Sequence, residues 1–358
     1  MLWVSKPLTT FLDPNANNNS NGIYLFFVLY IFISVYGLWA EDTYHIWEGF
    51  LSQSGYRIFN IDGYEAVYNW LATQTGDNYF LWRFIIWTPA CLLIYYTAKA
   101  LSLLNRNFLV SLALFGGFLA FTRGMLGHTM LIFGLTIFLR DRKTFSNQIM
   151  GITLIFMSYF FHKSMYVNLI FAILALIPFG RIGILISIPL FPIAISIASL
   201  TSDIVSSGDV YASYGEGVGG VGDKTLEYME REKSEITTNG YIGQIISLTP
   251  LYFAFFYLYI KIYVECFFDY IKNGRLFKYL YRLSYVALYI SSTYLFLDVS
   301  EWISSRFRYM AIFPLIFVLG KVWSMEHRTN IYIKMIILLQ LFAVFMQKIL
   351  QTLKWYEL

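Results

Sequence analysis

The chain is divided into apolar runs of about 20 residues separated by short polar segments, and this pattern restricts the fold more than anything else in the sequence. A run of that length crosses a hydrocarbon layer as a helix. Inside lipid the backbone must satisfy its own hydrogen bonds, so such runs fold as helices packed side by side. About eleven spans are expected, at 22–40, 79–98, 107–122, 125–140, 147–161, 164–180, 182–200, 241–264, 280–297, 307–322 and 331–350. Within 107–140 the break at Thr122-Arg123-Gly124 reads either as a tight outer turn or as the break of a re-entrant pair. The expected fold class is all-α, a polytopic membrane helical bundle forming one integral membrane domain over 1–358.

Composition excludes the ordinary soluble alternative. Of 358 residues, 58% are hydrophobic and 13% charged, where soluble domains carry about 25% charged residues. A fifth are aromatic, as interfacial belts and a packed bundle require. The net charge of +4 is spread among the apolar segments instead of forming one basic face, so no nucleic-acid partner is expected. Cys91 and Cys266 lie in or beside apolar segments without CxxC spacing and read as packing residues. Residues 1–22 are polar and Asn-rich, and the first apolar run is too long and too late for a cleaved leader, so it is expected to remain as a span.

The connecting segments fall into two alternating sets. One carries Lys99 and Arg106; Arg140, Arg142 and Lys143; Arg181; Lys272, Arg275, Lys278 and Arg282; and Lys321, His327 and Arg328. These are short and basic, and the positive-inside rule makes them cytoplasmic. The other set, 41–78, 201–240 and 298–306, then faces outward. The N-terminus is inside and the C-terminus outside, an assignment that Lys348 and Lys354 fit poorly. Segment 41–78 is an extracytoplasmic loop with short helices, in which Tyr64, Val67, Tyr68 and Leu71 share one helix face. Segment 201–240 begins with the glycine-rich "YGEGVGGVG" and continues into a charged stretch, as a lid does.

Against that topology one group of charges is out of place. Arg57, Arg83, Arg123, His162, Arg306 and Arg308 all fall on the outward side, where the rule predicts few cations. Each has a plain reading: Arg83 as a snorkelling side chain, Arg123 as an interface anchor, His162 and Lys163 as the polar residues an outer turn needs. The functional reading is a cavity for an anion. Arginine is always charged and bonds phosphate oxygens through a planar fork, so several arginines on one face point to a lipid-linked phosphate or diphosphate. Arg306 and Arg308 lie two apart, about 200° around a helix, and are expected to have different partners, one of them Asp298 or Glu301. Asp62 reads as an N-cap for the helix that follows, or as a carboxylate that orients an arginine or takes a proton. No DxD or HExxH spacing occurs, so no metal and no cofactor are expected.

The order of these residues resembles a known family. An outer Arg57…Asp62-Gly63-Tyr64…Tyr68 is followed by a span with an internal Arg83, an "RGMLG" turn at Arg123, "FHKSM" around His162 and Lys163, a glycine-rich outer loop, and "RFRY" from Arg306 to Tyr309. This is similar to the EpsG-like branch of Wzy-type bacterial polysaccharide polymerases, over roughly residues 20–325. One departure is Arg123-Gly124, where the family often has Arg-Gln, so a role for that Gln does not carry over. The resemblance implies a glycosyltransferase of the bacterial cytoplasmic membrane that joins undecaprenyl-diphosphate-linked oligosaccharide donor and acceptor units on the outer face, among membrane lipids and with a chain-length regulator as a possible partner. It implies catalytic roles for Asp62, Arg123, His162 and Arg306. Substrate binding is implied for Arg57, Tyr64, Tyr68, Arg83, Lys163, Arg308 and Tyr309. The competing readings are an O-antigen ligase, a lipid-linked sugar flippase and a structural membrane subunit. A flippase is expected to carry cations through the midplane of its cavity, whereas these cluster outward.

Overall fold

The computed structural model describes residues 74–75, 78–103, 106–115, 124–141, 144–161, 165–197, 238–295, 301–325 and 331–356. Among them every regular element is helical. In chain order these are α1 Tyr79–Ala100, α2 Arg106–Phe115, α3 Met125–Leu139, α4 Phe145–Ser158, α5 Met165–Leu174 and α6 Arg181–Ser187. There follow α7 at 191–197, α8 Thr238–Tyr259, α9 Gly274–Leu295, α10 Glu301–Met325 and α11 Ile331–Tyr356.

Most helices coincide with expected apolar runs. The run at 182–200 differs: it is broken by a turn at 188–190 into α6 and α7. Pro189 and Pro192 explain the break, since each lacks an N–H and disfavours helix in the residue before it. Likewise the 164–180 run ends as helix at Leu174, shortly before Pro178. Pro89, Pro250 and Pro314 are instead accommodated inside α1, α8 and α10. Beyond α8, Ile260–Val264 continues as a π turn. Within the described residues, Phe307–Met325 is the one helical stretch long and apolar enough to cross a membrane, and Met125–Leu139, Phe145–Phe161, Leu248–Val264 and Ile331–Ala343 are shorter apolar helices. Along α4, Phe145, Ile149, Ile152 and Phe156 are exposed, as are Leu338, Leu341, Phe342 and Phe345 along α11. In water such faces are unfavourable, and in lipid they are the normal outer surface of a bundle.

The chain forms two compact units, one of residues 1–169, 268–280 and 313–330, the other of 170–267, 281–312 and 331–358. In the first, α3 packs on α4 through facing glycines. A Cβ on Gly134 would stand 2.8 Å from the Gly151 carbonyl oxygen, and one on Gly151 would stand 3.0 Å from that of Gly134. Absence of side chains at these positions brings the two backbones together. α2 packs on the C-terminal half of α10, where Phe108 stacks on Phe317 at 5.3 Å and Ser111 Oγ donates to the Ile316 carbonyl at 3.1 Å. A polar clamp closes the loops: Asn273 N–H donates to Asp141 Oδ2 at 2.8 Å, and Asp141 N–H to Asn273 Oδ1 at 3.4 Å. Asn273 adopts φ 62°, a left-handed conformation that Asn tolerates. Its neighbour must be Gly274, because a Cβ there would lie 1.9 Å from the Phe268 carbonyl oxygen.

In the second unit, Tyr281, Tyr285 and Tyr289 recur every four residues of α9 and so share a face. Tyr281 donates to the Phe255 carbonyl at 3.2 Å and Tyr289 to the Ser187 carbonyl at 2.9 Å, while Tyr285 bonds the Ser187 hydroxyl. Arg282 Nε donates at 2.9 Å to the carbonyl of Ala175, just past the end of α5, where helix carbonyls otherwise lack partners. α8 and α11 meet through the stacked rings of Tyr257 and Tyr332 at 6.0 Å.

Candidate functional site

Of the residues singled out from sequence, Arg308 and Tyr309 have described side chains, both half-buried on α10. Arg306 lies on the same helix and Arg83 near the start of α1. Arg57, Asp62, Tyr64, Tyr68, Arg123, His162 and Lys163 lie outside the described residues. So do Asp298, the 41–78 loop apart from 74–75 and 78, and residues 201–237 of the glycine-rich loop.

α10 is regular through Arg306 and Arg308, so those positions differ by about 200° around its axis. Within the second unit, Phe307 packs edge-on against Phe171 at 5.3 Å. The Arg308 guanidinium lies within electrostatic range of the Tyr252 hydroxyl. That hydroxyl bonds the buried Ser292 Oγ, which also donates to the Leu288 carbonyl at 2.7 Å. Three helices, α8, α9 and α10, thus bring a cation and two hydroxyls into one neighbourhood. In an apolar surrounding, a cation beside hydroxyl groups suits an anionic or polyhydroxylated ligand. Tyr252 and Ser292 were not singled out from sequence. Each sits in an apolar run, and their proximity depends on helix pairing that periodicity does not specify.

The first unit contains a second polar group. Asn168 on α5 has no exposed surface and His128 on α3 is 2% exposed. Asn168 Nδ2 donates to His128 Nδ1 at 3.3 Å and to Met165 Sδ at 3.7 Å. Since the amide nitrogen is the donor, a neutral His128 ring carries its proton on Nε2. Asn168 Oδ1 is buried without a donor among the described residues. His128 N–H in turn donates to the Gly124 carbonyl at 2.9 Å. Gly127 lets α3 approach closely, for a Cβ there would meet the Ser158 carbonyl oxygen at 3.0 Å and Met165 Cγ at 3.1 Å. In the sequence His128 stands five residues after Arg123 and belongs to no motif of its own. The available signal was a polar side chain inside an apolar run, which is costly in lipid and commonly functional or pairing.

Among the described residues no group of His, Cys, Asp and Glu is arranged to hold a metal ion. The fold and these polar groups define a helical membrane-type protein whose apolar helices carry arginine, hydroxyl, amide and imidazole groups. The model of the EpsG family matches residues 22–358, and the chain belongs to that family. It is therefore a bacterial membrane protein of the polysaccharide-polymerase type, glycosyltransferase-like and directed at lipid-linked polysaccharide substrates. The resemblance read from the order of short motifs is borne out, and the match extends past the expected limit near 325 to the end of the chain. No curated protein and no solved structure matches it.

Proposed function

We propose that the protein is a polysaccharide polymerase that joins undecaprenyl-diphosphate-linked oligosaccharide repeat units at the outer face of the bacterial cytoplasmic membrane. The observation that carries this reading is the family match over residues 22–358. The outward arginines supply its chemistry. A hydroxyl at the non-reducing end of the acceptor unit attacks the anomeric carbon of the donor unit. The new glycosidic bond forms as the bond from that carbon to the diphosphate breaks, and undecaprenyl diphosphate leaves with the bonding electron pair. The hydroxyl proton passes to a base, Asp62 or His162. Diphosphate is stable as an anion, so the leaving group needs cations more than a general acid. Arg83 and Arg123 meet that need together with one of Arg306 and Arg308, which lie about 200° apart on α10. Arg57, Lys163 and Tyr309 hold the lipid-linked substrate, while Tyr64 and Tyr68 offer ring faces to sugars. The 201–240 segment covers the glycan and excludes water, favouring transfer over hydrolysis. The reaction uses no metal.

The test is deletion of the protein in a producing cell, with analysis of surface and lipid-linked glycan. Loss of a polymerase leaves single repeat units outside the membrane. Repeat units trapped on the cytoplasmic side would identify a flippase, and full-length polymer left unattached to its final acceptor would identify a ligase. Either result overturns the reading.

A further inference from the structure

Three of the residues expected to act in the first half of the chain, Arg123, His162 and Lys163, stand in sequence just before two helices. Arg123 precedes Gly124, the residue that caps α3, and His162 and Lys163 precede Met165, the first residue of α5. His128 is the fourth residue of α3 and Asn168 the fourth of α5, so the Asn168-to-His128 hydrogen bond of 3.3 Å joins equivalent positions in the first turns. The Gly127 contact with Met165 makes the same junction on the adjoining face. Both helix starts therefore stand side by side at one level. The link continues along the backbone, from Asn168 through the His128 ring, then from the His128 N–H to the Gly124 carbonyl at 2.9 Å.

We infer that His128 and Asn168 are positioning residues for the proposed glycosyl transfer: their buried hydrogen bond locks together the first turns of α3 and α5, the turns that follow Arg123 and His162-Lys163 in the chain. The energetics favour position over stability as the reason for the pair. A neutral side-chain hydrogen bond between membrane helices contributes only about 0.6 kcal/mol on average. Asn168 Oδ1, buried without a donor among the described residues, adds nothing to stability. Two apolar side chains of similar volume would hold α3 to α5 at least as well. What they would lack is register, because apolar contact tolerates sliding and a hydrogen bond between fixed atoms does not. Cations aimed at a departing diphosphate need that register, since displacement by about 1 Å costs up to about 10²-fold in rate.

This inference rests on the proposed polymerase reaction. The test uses the full chain, purified in lipid nanodiscs, with an undecaprenyl-diphosphate-linked repeat unit as donor and acceptor. Asn168→Ala, Asn168→Ser and His128→Gln are compared, with rates divided by the amount of folded protein. Alanine and serine at 168 cannot donate across the gap, whereas glutamine at 128 still offers Asn168 an acceptor oxygen. The expected result is a kcat about 30-fold lower for the two Asn168 variants, a donor KM within about threefold of wild type, and substantial recovery in His128→Gln. A purely structural pair would lower the yield of folded protein and leave kcat per folded molecule unchanged. That outcome, in either Asn168 variant that folds, overturns the inference while the polymerase reading stands. A wild-type chain that elongates nothing overturns the polymerase reading and this inference with it.

Discussion

The contact between α3 and α4 permits a quantitative test, since two glycines face each other across it. Replacing Gly134 with alanine would set a methyl group 2.8 Å from the Gly151 carbonyl oxygen and 2.9 Å from Ile155 Cγ1. An ordinary carbon–oxygen contact is about 3.4 Å or more, so the helices must separate by roughly 0.6 Å at this point. The nearest obstacle is backbone, which cannot rotate away as a side-chain end does. Such overpacking costs about 1–3 kcal/mol, and the separation also weakens packing along the rest of the interface. Alanine's better helix propensity returns at most about 1 kcal/mol. A net loss of about 1–2 kcal/mol is therefore expected for Gly134→Ala, and a similar one for Gly151→Ala, whose Cβ would stand 3.0 Å from the Gly134 carbonyl oxygen. The double variant should lose about 1 kcal/mol less than the sum, because the first methyl group has already opened the gap the second needs. Gly180→Ala is the control, with nothing within 4 Å of the added Cβ and φ at −81°, and it should fall within about 0.5 kcal/mol of wild type. The measurement is reversible denaturation in mixed micelles, followed by circular dichroism. Full additivity, or a loss below about 0.5 kcal/mol at Gly134, would refute the argument that these backbones touch.

Other perturbations give distinct readouts. Asp141→Ala strips the Asn273 N–H of its carboxylate acceptor and should cost about 1–3 kcal/mol in the same assay, with Asp141→Asn recovering part of it. Arg282→Met removes the donor to the Ala175 carbonyl and should destabilise by about 1–2 kcal/mol, measured again by denaturation. On the proposed reaction, Arg308→Ala should lower polymer formation about 10²-fold and Arg308→Lys should restore only part of it; product length on gels reads both, and a fully active Arg308→Ala removes this residue from the diphosphate-binding set. Polymerisation should persist after treatment with EDTA; abolition with recovery on adding a divalent cation would refute the metal-free reaction.

Much of the helical framework was legible in the chain, for a reason particular to apolar surroundings. A backbone with no water nearby must close its own hydrogen bonds, so a long apolar run has one main conformational outcome. The starts of α1 and α11 accordingly match the starts of their runs. Prolines were the less legible part. Pro189 lies in the turn that divides a run, whereas Pro250 and Pro314 sit inside α8 and α10. Neighbouring helices can resatisfy a carbonyl freed by proline, and one sequence does not name those neighbours. The four-residue spacing of Tyr281, Tyr285 and Tyr289 puts the three on one helix face; that they bond the Phe255 carbonyl, the Ser187 hydroxyl and the Ser187 carbonyl follows only from packing.

The same division runs through the function. By itself the sequence determined a helical membrane-type chain and the family, because hydropathy and motif order are properties of the chain in one dimension. Tertiary structure decided which polar groups meet. Asn168 and His128 are forty residues apart, as are Tyr252 and Ser292, and each residue alone looks like a polar interruption of an apolar run. Between helices in an apolar medium, such a side chain must find a partner across the interface, and which partner it finds depends on the neighbouring helix and its register.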